Sequence, residues 1–88
     1  MIKHETETLQ RAAALLAQSE FLVHYEGLAP TNTHGRYKFV LSVEASEEIL
    51  EDWVKRYTRQ NTLVEPRRYD QMLGMLRDDS KREKRQAR

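Results

Sequence analysis

Residues 36–43 are Arg-Tyr-Lys-Phe-Val-Leu-Ser-Val, and their alternation of apolar and polar side chains decides the fold. In an extended chain successive side chains point to opposite faces, so every second residue shares a face. The residues that share the apolar face are Tyr37, Phe39, Leu41 and Val43. Lys38, Val40 and Ser42 take the opposite face. This pattern predicts a strand whose apolar face is buried against other elements.

A second alternating segment precedes this strand at residues 21–26, Phe-Leu-Val-His-Tyr-Glu. The residues on its apolar face are Phe21, Val23 and Tyr25. Residues 27–35, which lie between the two segments, include Pro30 and Asn32, and both residue types are typical of loops. We therefore predict an antiparallel hairpin in which a long, nine-residue loop joins the two strands.

Three segments show the apolar spacing i, i+3, i+4, i+7 that is typical of amphipathic helices. The first helix is predicted near residues 5–18, the second at 47–60 with Ser46 as its N-cap, and the third at 66–78. The third begins at a proline, which suits the first position of a helix because the N–H there has no helical partner. The apolar stripes are Leu9, Ala12, Ala13 and Leu16; Ile49, Leu50, Trp53, Val54 and Tyr57; and Tyr69, Met72, Leu73 and Leu76. The tryptophan shares the stripe of the second helix, which favours core packing over stacking on bases.

The order of these elements, α-β-β-α-α, predicts an α+β fold in which a two-stranded antiparallel hairpin packs on three helices. Residues 1–78 are predicted to form one compact domain, because a chain of 88 residues supports a single modest core. Residues 79–88 contain Ala87 as their single apolar side chain. They are therefore predicted to form a basic, solvated C-terminal tail, either as a helix extension or as a disordered segment.

A two-stranded sheet leaves unpaired backbone groups along both of its strands. Pairing of one strand with that of a second copy would give a four-stranded sheet across a symmetric dimer. The alternative is a monomer whose strands are protected by the charges of Glu26, Lys38 and Glu44. The sequence pattern leaves both arrangements open.

The composition excludes several classes of protein. Because the chain has no cysteine, it has neither a disulfide framework nor a thiolate metal site. Its longest apolar run, residues 12–17, is far shorter than the roughly 20 residues of a membrane-spanning helix. Its first residues lack the basic and then apolar pattern of a signal peptide. These observations predict a cytoplasmic protein with no membrane partner.

The run of residues 63–69, Leu-Val-Glu-Pro-Arg-Arg-Tyr, resembles the start of the last helix in a family of small uncharacterised domains from bacteria, phages and mobile elements. The other matching stretches are the alanine- and leucine-rich residues 12–17 and the strand segment 37–41. The similarity spans most of residues 9–77. The resemblance implies the α-β-β-α-α fold and an origin among bacteria, phages and mobile elements, and it implies no activity and no catalytic residues.

The chain shows no pattern of catalytic or metal-ligating residues. His4, His24 and His34 are not spaced as a metal-binding pair. The carboxylates that cluster at the start of the second helix are Glu47, Glu48, Glu51 and Asp52. Their favourable interaction with the helix dipole and with solvent accounts for them. Because there is also no glycine-rich phosphate loop and no nucleophile motif, the sequence predicts a non-enzymatic protein without a metal or cofactor.

The charge of the chain is separated along its length. Residues 1–54 hold four basic residues against nine acidic ones, a net charge of −5, whereas residues 55–88 hold eleven against five, a net charge of +6. A basic surface binds polyanions because contact with phosphate groups releases their condensed counterions. The predicted nucleic-acid-binding residues are Lys55, Arg56, Arg59, Arg67, Arg68, Lys81, Arg82, Lys84 and Arg85.

We therefore predict a small binding module, encoded by a phage or mobile element, that holds nucleic acid without sequence specificity through its basic C-terminal half. Basic charge continues past the predicted core, where packing does not require it. The alternative is a protein-binding inhibitor or adaptor, for example of a host defence complex. It would act through the acidic first half as a mimic of nucleic acid, or through a strand edge that accepts a partner strand.

Overall fold

The computed structural model describes residues 1–33, 35–59 and 64–86, and the side chains of residues 84–86 lie outside that description. Within these residues the chain forms three strands and three helices in the order β-α-β-β-α-α. The elements are β1 (Ile2–Thr6), α1 (Leu9–Ala17), β2 (Leu22–Pro30), β3 (Tyr37–Glu44), α2 (Glu47–Thr58) and α3 (Pro66–Gln86). The predicted α+β class is confirmed, but the predicted two-stranded hairpin is wrong.

β3 is the central strand of a three-stranded antiparallel sheet with the order β1-β3-β2. β1 pairs with β3 from Ile2 opposite Val43 to Thr6 opposite Phe39. The sequence pattern does not predict β1, because Ile-Lys-His-Glu-Thr contains one apolar residue in five and so shows no apolar alternation. It becomes a strand because the second edge of β3 offers backbone groups that need hydrogen-bond partners.

The central position of β3 bears on the four-stranded dimer sheet, which the sequence pattern left open beside a monomer. Both edges of β3 are paired within the chain, so the four-stranded sheet expected from a two-stranded hairpin loses its basis. The outer strands of the sheet are β1 and β2. β1 is five residues long, and β2 has a bulge at Glu26, between Tyr25 and Gly27. Short strands and bulges both disfavour edge-to-edge association.

β2 continues through the segment that the sequence pattern assigns to a loop. After the bulge, Gly27 pairs with Val40 and Pro30 pairs with Tyr37, so the predicted nine-residue loop is wrong. Gly27 has a φ of +119°, which glycine adopts readily because it has no Cβ atom. The glycine therefore marks a bulge inside a strand and not the start of a turn.

The first residues of α2 and α3 are capped by side chains. The Ser46 hydroxyl accepts a hydrogen bond from the Ile49 N–H at 3.3 Å, which confirms the predicted N-cap. α3 begins at the predicted proline, and the Glu65 carboxylate accepts hydrogen bonds from the N–H groups of Arg67 and Arg68 at 3.3 and 2.9 Å. These bonds satisfy backbone donors that have no partner within the helix.

The other helix ends differ from their predicted positions. α1 begins at Leu9 because β1 occupies residues that the pattern assigned to the helix. α2 ends at Thr58, and its predicted end two residues later lies outside the described residues. α3 continues to Gln86, eight residues past its predicted end. The extension carries no apolar stripe, but its lysine, arginine, glutamate and glutamine residues all have high helix propensity.

α1 forms the centre of the core. Its residues Ala12, Ala13, Ala14 and Leu15 are all fully buried. Four consecutive positions face in four directions around a helix, so α1 is enclosed on all sides. It lies against α3 and also contacts the strands of the sheet. The small alanine side chains allow these neighbours to approach closely.

α2 contributes Trp53 to the core. Its side chain is 0% exposed, which confirms its predicted place in the core. The indole stacks on the ring of Tyr57, with 5.2 Å between the ring centroids, and meets the ring of Phe21 edge-on at 6.4 Å. These contacts join α2 to the segment that leads into β2.

Candidate functional site

At one end of the inner face of the sheet, apolar side chains form the floor of a cleft of about 510 Å³. The floor consists of Leu9 at the start of α1, Leu28 on β2 and Phe39 on β3. Leu28 and Phe39 are directly opposite each other in the β2–β3 ladder, so their side chains lie together on one face. Tyr37 precedes Phe39 by two residues and therefore lines the cleft from the same face of β3. The floor thus continues the hydrophobic core to the surface.

Three basic side chains also line the cleft: Arg36, Arg77 and Lys81. Arg36 immediately precedes β3, and Arg77 and Lys81 lie four residues apart on one flank of α3. All three residues are exposed, and none forms a salt bridge with a residue that the structure describes. Glu7 is the acidic member of the lining, so three positive charges face one negative charge. We call this site the basic cleft.

Hydrogen bonds in the connection between β2 and β3 hold the backbone of Arg36. Its carbonyl accepts from the N–H of Thr31 at 3.2 Å, and its N–H donates to the carbonyl of Thr33 at 3.1 Å. The Thr31 hydroxyl donates to the same Arg36 carbonyl at 3.2 Å. Gly35 supports this turn with a φ of +81°, a conformation that glycine tolerates without strain. Arg36 therefore leaves the turn from a defined backbone position.

A hydrogen bond attaches the last turns of α3 to the sheet. The Tyr25 hydroxyl on β2 donates to the carboxylate of Asp79. Burial raises the pKa of Tyr25 well above its usual range, and the Asp79 carboxylate adds to that effect. The phenol therefore stays protonated at neutral pH and can donate this bond. Because Asp79 lies between Arg77 and Lys81 in the chain, the bond fixes the part of α3 that lines the basic cleft.

The structure divides the predicted nucleic-acid-binding residues among three places. Lys55, Arg56 and Arg59 lie at the end of α2, Arg67 and Arg68 in the first turn of α3, and Lys81 and Arg82 in its last turns. Lys84 and Arg85 also belong to α3, but their side chains lie outside the described residues. At a rise of about 1.5 Å per residue, the two described groups on α3 are about 20 Å apart along the axis. The seven described side chains therefore do not form one continuous surface.

Arg56 is bound within the molecule. Its two Nη groups donate to the Glu20 carboxylate at 3.2 and 2.8 Å, and its Nε donates to Asp52 at 3.0 Å. The hydrogen bonds to Glu20 raise the pKa of Arg56, and the charge of Asp52 adds to this effect. Two acidic side chains balance its charge, so Arg56 contributes little to attracting an anion. The other described members of the predicted set have no salt bridge to a described residue.

Sequence reasoning missed two members of the basic cleft, Arg36 and Arg77. The four-residue spacing of Arg77 and Lys81 is a signal that would have placed both on one helix flank. No comparable signal exists for Arg36, which lies 41 residues before Arg77. Its place in the cleft follows from the packing of β3 and α3 against the same core.

A second cavity, of about 440 Å³, lies between β1 and α2. Its charged or titratable lining residues are Lys3, His4, Glu47, Glu51 and Lys55. Burial lowers the pKa of His4, and the positive charge of Arg11 lowers it further. The His4 Nε2 atom is buried and has no partner among the described residues. Since two lysines and two glutamates balance each other, this cavity does not favour an anion.

The outer face of the sheet is polar, and its side chains are largely paired with each other. The cross-strand pairs are Lys38 with Glu5, Ser42 with Glu26 at 2.9 Å, and His24 with Glu44 at 3.5 Å. Residue 34, the third histidine, lies outside the described residues. Because these charges compensate one another, the outer face offers less to a charged ligand than the basic cleft does.

The described residues show neither a metal-binding cluster nor a membrane-spanning helix. In that part of the chain, no group of three or more histidine, aspartate or glutamate side chains is placed to hold a metal ion. None of the described helices combines the length and the apolar character that crossing a membrane requires.

No family model matches the chain, and comparison with curated proteins and with solved structures found no match either. The resemblance to small bacterial and phage domains, and the origin that it implies, therefore stay predictions. Function has to be inferred from the arrangement of the chain's own residues.

Proposed function

We propose that this chain is a small non-enzymatic module that binds the phosphate groups of nucleic acid at its basic cleft. One observation carries the proposal. Arg36 and the α3 residues Arg77 and Lys81 come from segments far apart in the chain, yet they line one cleft without described salt-bridge partners. Like charges repel, so an anionic ligand would relieve the cost of bringing three cations together.

The chemistry of these side chains suits phosphate. A guanidinium group forms two parallel hydrogen bonds to phosphate oxygens, and a lysine ammonium group adds a mobile point charge. The apolar floor of Leu9, Leu28 and Phe39 lines the same cleft. An apolar wall beside a charged group lowers the local dielectric constant, so the attraction is stronger than on an entirely polar surface.

Basic residues continue after Lys81 along the sequence of α3. Arg82 follows Lys81 and is exposed, and Lys84 and Arg85 belong to the same helix. A polyanion seated in the cleft can therefore extend toward the end of α3, as the charge distribution of the sequence predicts. This continuity favours a polymer such as nucleic acid over a single small anion.

The described lining also supports a binding role over catalysis. Its polar and charged side chains are Glu7, Tyr37, Ser80 and the three cations, so positive charges outnumber negative charges by two. An excess of positive charge attracts and holds an anionic ligand. The cleft is thus suited to holding charge.

The alternative of protein binding through a strand edge has less support. The bulge at Glu26 interrupts the ladder of β2, and β1 presents five residues. Regular backbone pairing along either strand would therefore be short. In the acidic half, Asp52 already accepts a hydrogen bond from Arg56. This ion pair neutralises part of the negative charge with which α2 would mimic nucleic acid.

The proposal is tested by fluorescence anisotropy with a labelled 20-nucleotide strand at about 50 mM salt, where counterion release favours binding. Two double variants provide a matched comparison: Arg77→Gln with Lys81→Gln, and Arg67→Gln with Arg68→Gln. Each removes two positive charges from exposed positions on α3. We expect the first pair to weaken binding by about tenfold or more and the second by about threefold or less.

The salt dependence gives a second readout. Three phosphate contacts to a single strand predict a slope of log affinity against log salt near −2, which is roughly a 20-fold loss between 50 and 200 mM salt. The first double variant is expected to make this slope shallower by about 1.4. Equal losses in both double variants would show that binding is spread over the helix and does not occur at the cleft. Absence of binding at about 50 mM salt would exclude the function.

A further inference from the structure

We infer that the ligand of the basic cleft is single-stranded, and that one unstacked base enters the cleft and lies on its apolar floor beside Tyr37. This inference rests on the proposed function and names the class of nucleic acid that the same site binds.

The size and lining of the basic cleft exceed what a phosphate group requires. A volume of about 510 Å³ lies within the range of about 300–1,000 Å³ that is typical of pockets for whole small molecules. Leu9 and Leu28, which are partly exposed, present apolar surface in the same cleft as the cations. A phosphate alone would leave that surface in contact with water. A ligand with both an anionic group and a flat apolar group matches the whole cleft, and a nucleotide has this composition.

Tyr37 supplies the aromatic surface for the base. Phe39 is 5% exposed and belongs to the core, whereas Tyr37 is partly exposed at the start of β3. Arg36 lines the same cleft, so a strand whose base contacts Tyr37 has a guanidinium group available for its phosphate. Proteins that bind single strands combine a cationic groove with aromatic side chains on which bases stack.

The apolar floor favours a single strand over an intact duplex. In a double helix the faces of the bases are stacked and their edges are paired, so the bases are not free to enter the cleft. Insertion of a base from a duplex requires unstacking and unpairing, which weakens the net binding. A single strand avoids most of this cost, so the cleft favours it.

The test compares a fluorescein-labelled single strand of 20 thymidines with a 20-base-pair duplex, using the full chain and anisotropy at about 50 mM salt. Tyr37→Leu removes the aromatic ring and keeps an apolar side chain, and Tyr37→Phe keeps the ring. We expect the wild type to bind the single strand at least about fivefold more tightly than the duplex. Tyr37→Leu is expected to lose roughly 5- to 100-fold in affinity for the single strand, in the range of one stacked base, and Tyr37→Phe to lose about twofold or less.

Two controls separate recognition of the base from folding and from charge. Circular dichroism during thermal unfolding checks that Tyr37→Leu remains folded, and competition by thymidine 5′-monophosphate is compared with competition by inorganic phosphate. The nucleotide should displace the strand at a lower concentration than phosphate does. The salt slope of Tyr37→Leu should equal that of the wild type, because the substitution removes no charge.

Each outcome bears on one of the two proposals. If the duplex binds as tightly as the single strand and Tyr37→Leu binds normally, while the Arg77 and Lys81 double variant is weakened, the base-binding inference is wrong and phosphate binding stands. Equal competition by phosphate and nucleotide would also overturn the inference. If no nucleic acid binds and an acidic peptide such as polyglutamate does, both proposals fail and the cleft serves a protein partner.

Discussion

Tyr25 on β2 donates a hydrogen bond to the carboxylate of Asp79 on α3, 54 residues later in the chain. The bond joins an outer strand of the sheet to the last turns of the longest helix in the described residues. Arg77 and Lys81, on either side of Asp79, line the basic cleft. The position of these two cations therefore depends on the hydrogen bond between Tyr25 and Asp79, although neither of these residues is basic.

Replacement of Tyr25 by phenylalanine removes this bond and keeps the aromatic ring. We expect a loss of about 1 kcal/mol in the free energy of unfolding, the typical net value of a hydrogen bond, and faster hydrogen exchange in residues 77–83. Urea unfolding and exchange mass spectrometry measure the two effects. Asp79→Asn should also destabilise the protein, whereas Asp78→Asn, with the same change of charge at an exposed position, should not. Unchanged exchange in Tyr25→Phe would show that the bond does not hold the helix.

His4 makes the stability depend on pH. Its pKa in the folded protein is lowered by burial and by Arg11, so the folded state binds a proton less readily than the unfolded chain does. The contribution of His4 is therefore complete above the ordinary histidine pKa of about 6.5 and is lost as the pH falls from that value through the folded-state pKa. We expect the midpoint of urea unfolding to fall between about pH 7.5 and about pH 5.5.

The variant His4→Gln should reduce this pH dependence, because glutamine does not titrate in that range. His24→Gln is the matched control, since His24 is exposed on the outer face of the sheet. The same pH dependence in His4→Gln as in the wild type would assign the effect to other groups.

Substitutions of Trp53 test whether it acts as a core residue or as a contact to nucleic acid. Trp53→Ala is expected to cost about 3–5 kcal/mol of stability, because it removes a fully buried side chain and leaves a cavity. Trp53→Phe should cost about 1–2 kcal/mol, since it keeps a ring next to Tyr57 and the indole N–H has no described partner to lose. Thermal unfolding followed by circular dichroism measures both. The affinity of Trp53→Phe for nucleic acid should equal that of the wild type, and a large loss would place the indole at the interface.

The same substitution, glycine to alanine, should have opposite effects at two positions. At Gly27 a φ of +119° strains any residue with a Cβ atom, so we expect Gly27→Ala to cost about 1–2 kcal/mol. At Gly74, on the exposed side of α3, alanine has the higher helix propensity and its Cβ meets nothing within 4 Å. Gly74→Ala is therefore expected to stabilise the protein by about 0.5–1 kcal/mol. Urea unfolding of both variants tests the pair, and stabilisation by Gly27→Ala would contradict the bulge.

Arg56 is a basic residue that the sequence predicts as a contact and the structure pairs with acids. Its bonds to Glu20 and Asp52 leave little charge for a ligand. Arg56→Gln should therefore change the affinity for nucleic acid by about twofold or less, in contrast to the larger loss expected for the Arg77 and Lys81 double variant. Anisotropy at the same salt concentration measures both variants. A tenfold loss of affinity in Arg56→Gln would contradict this and would place the nucleic-acid interface near the end of α2.

Local patterns in the sequence predict part of the fold well. The alternation in residues 36–43 identifies β3, and the spacing of apolar residues identifies all three helices. The N-cap of α2 and the proline that begins α3 are visible because capping depends on residues a few positions apart. These features depend on contacts between residues that are close in the sequence, so the sequence alone predicts them.

The same local patterns do not predict β1. Its inward-facing positions include His4 and Thr6, opposite Leu41 and Phe39 of β3, so it carries no stripe of apolar residues. Its strand conformation depends on the free edge of a partner more than 30 residues away in the chain. Gly27 is ambiguous for a related reason, because the same residue type serves turns and bulges and only the pairing of β2 with β3 distinguishes them.

The amino-acid sequence alone determined the α+β class, the helices, the segregation of charge and the burial of Trp53, because each depends on composition or on residues adjacent along a helix or strand. Tertiary structure alone decided that the sheet has a third strand, that Arg56 is neutralised, and that Arg36 lines the same cleft as Arg77 and Lys81. Those outcomes depend on which segments pack together although they are distant in the sequence. Local periodicity describes only residues that are near one another in the sequence, so it cannot predict that packing.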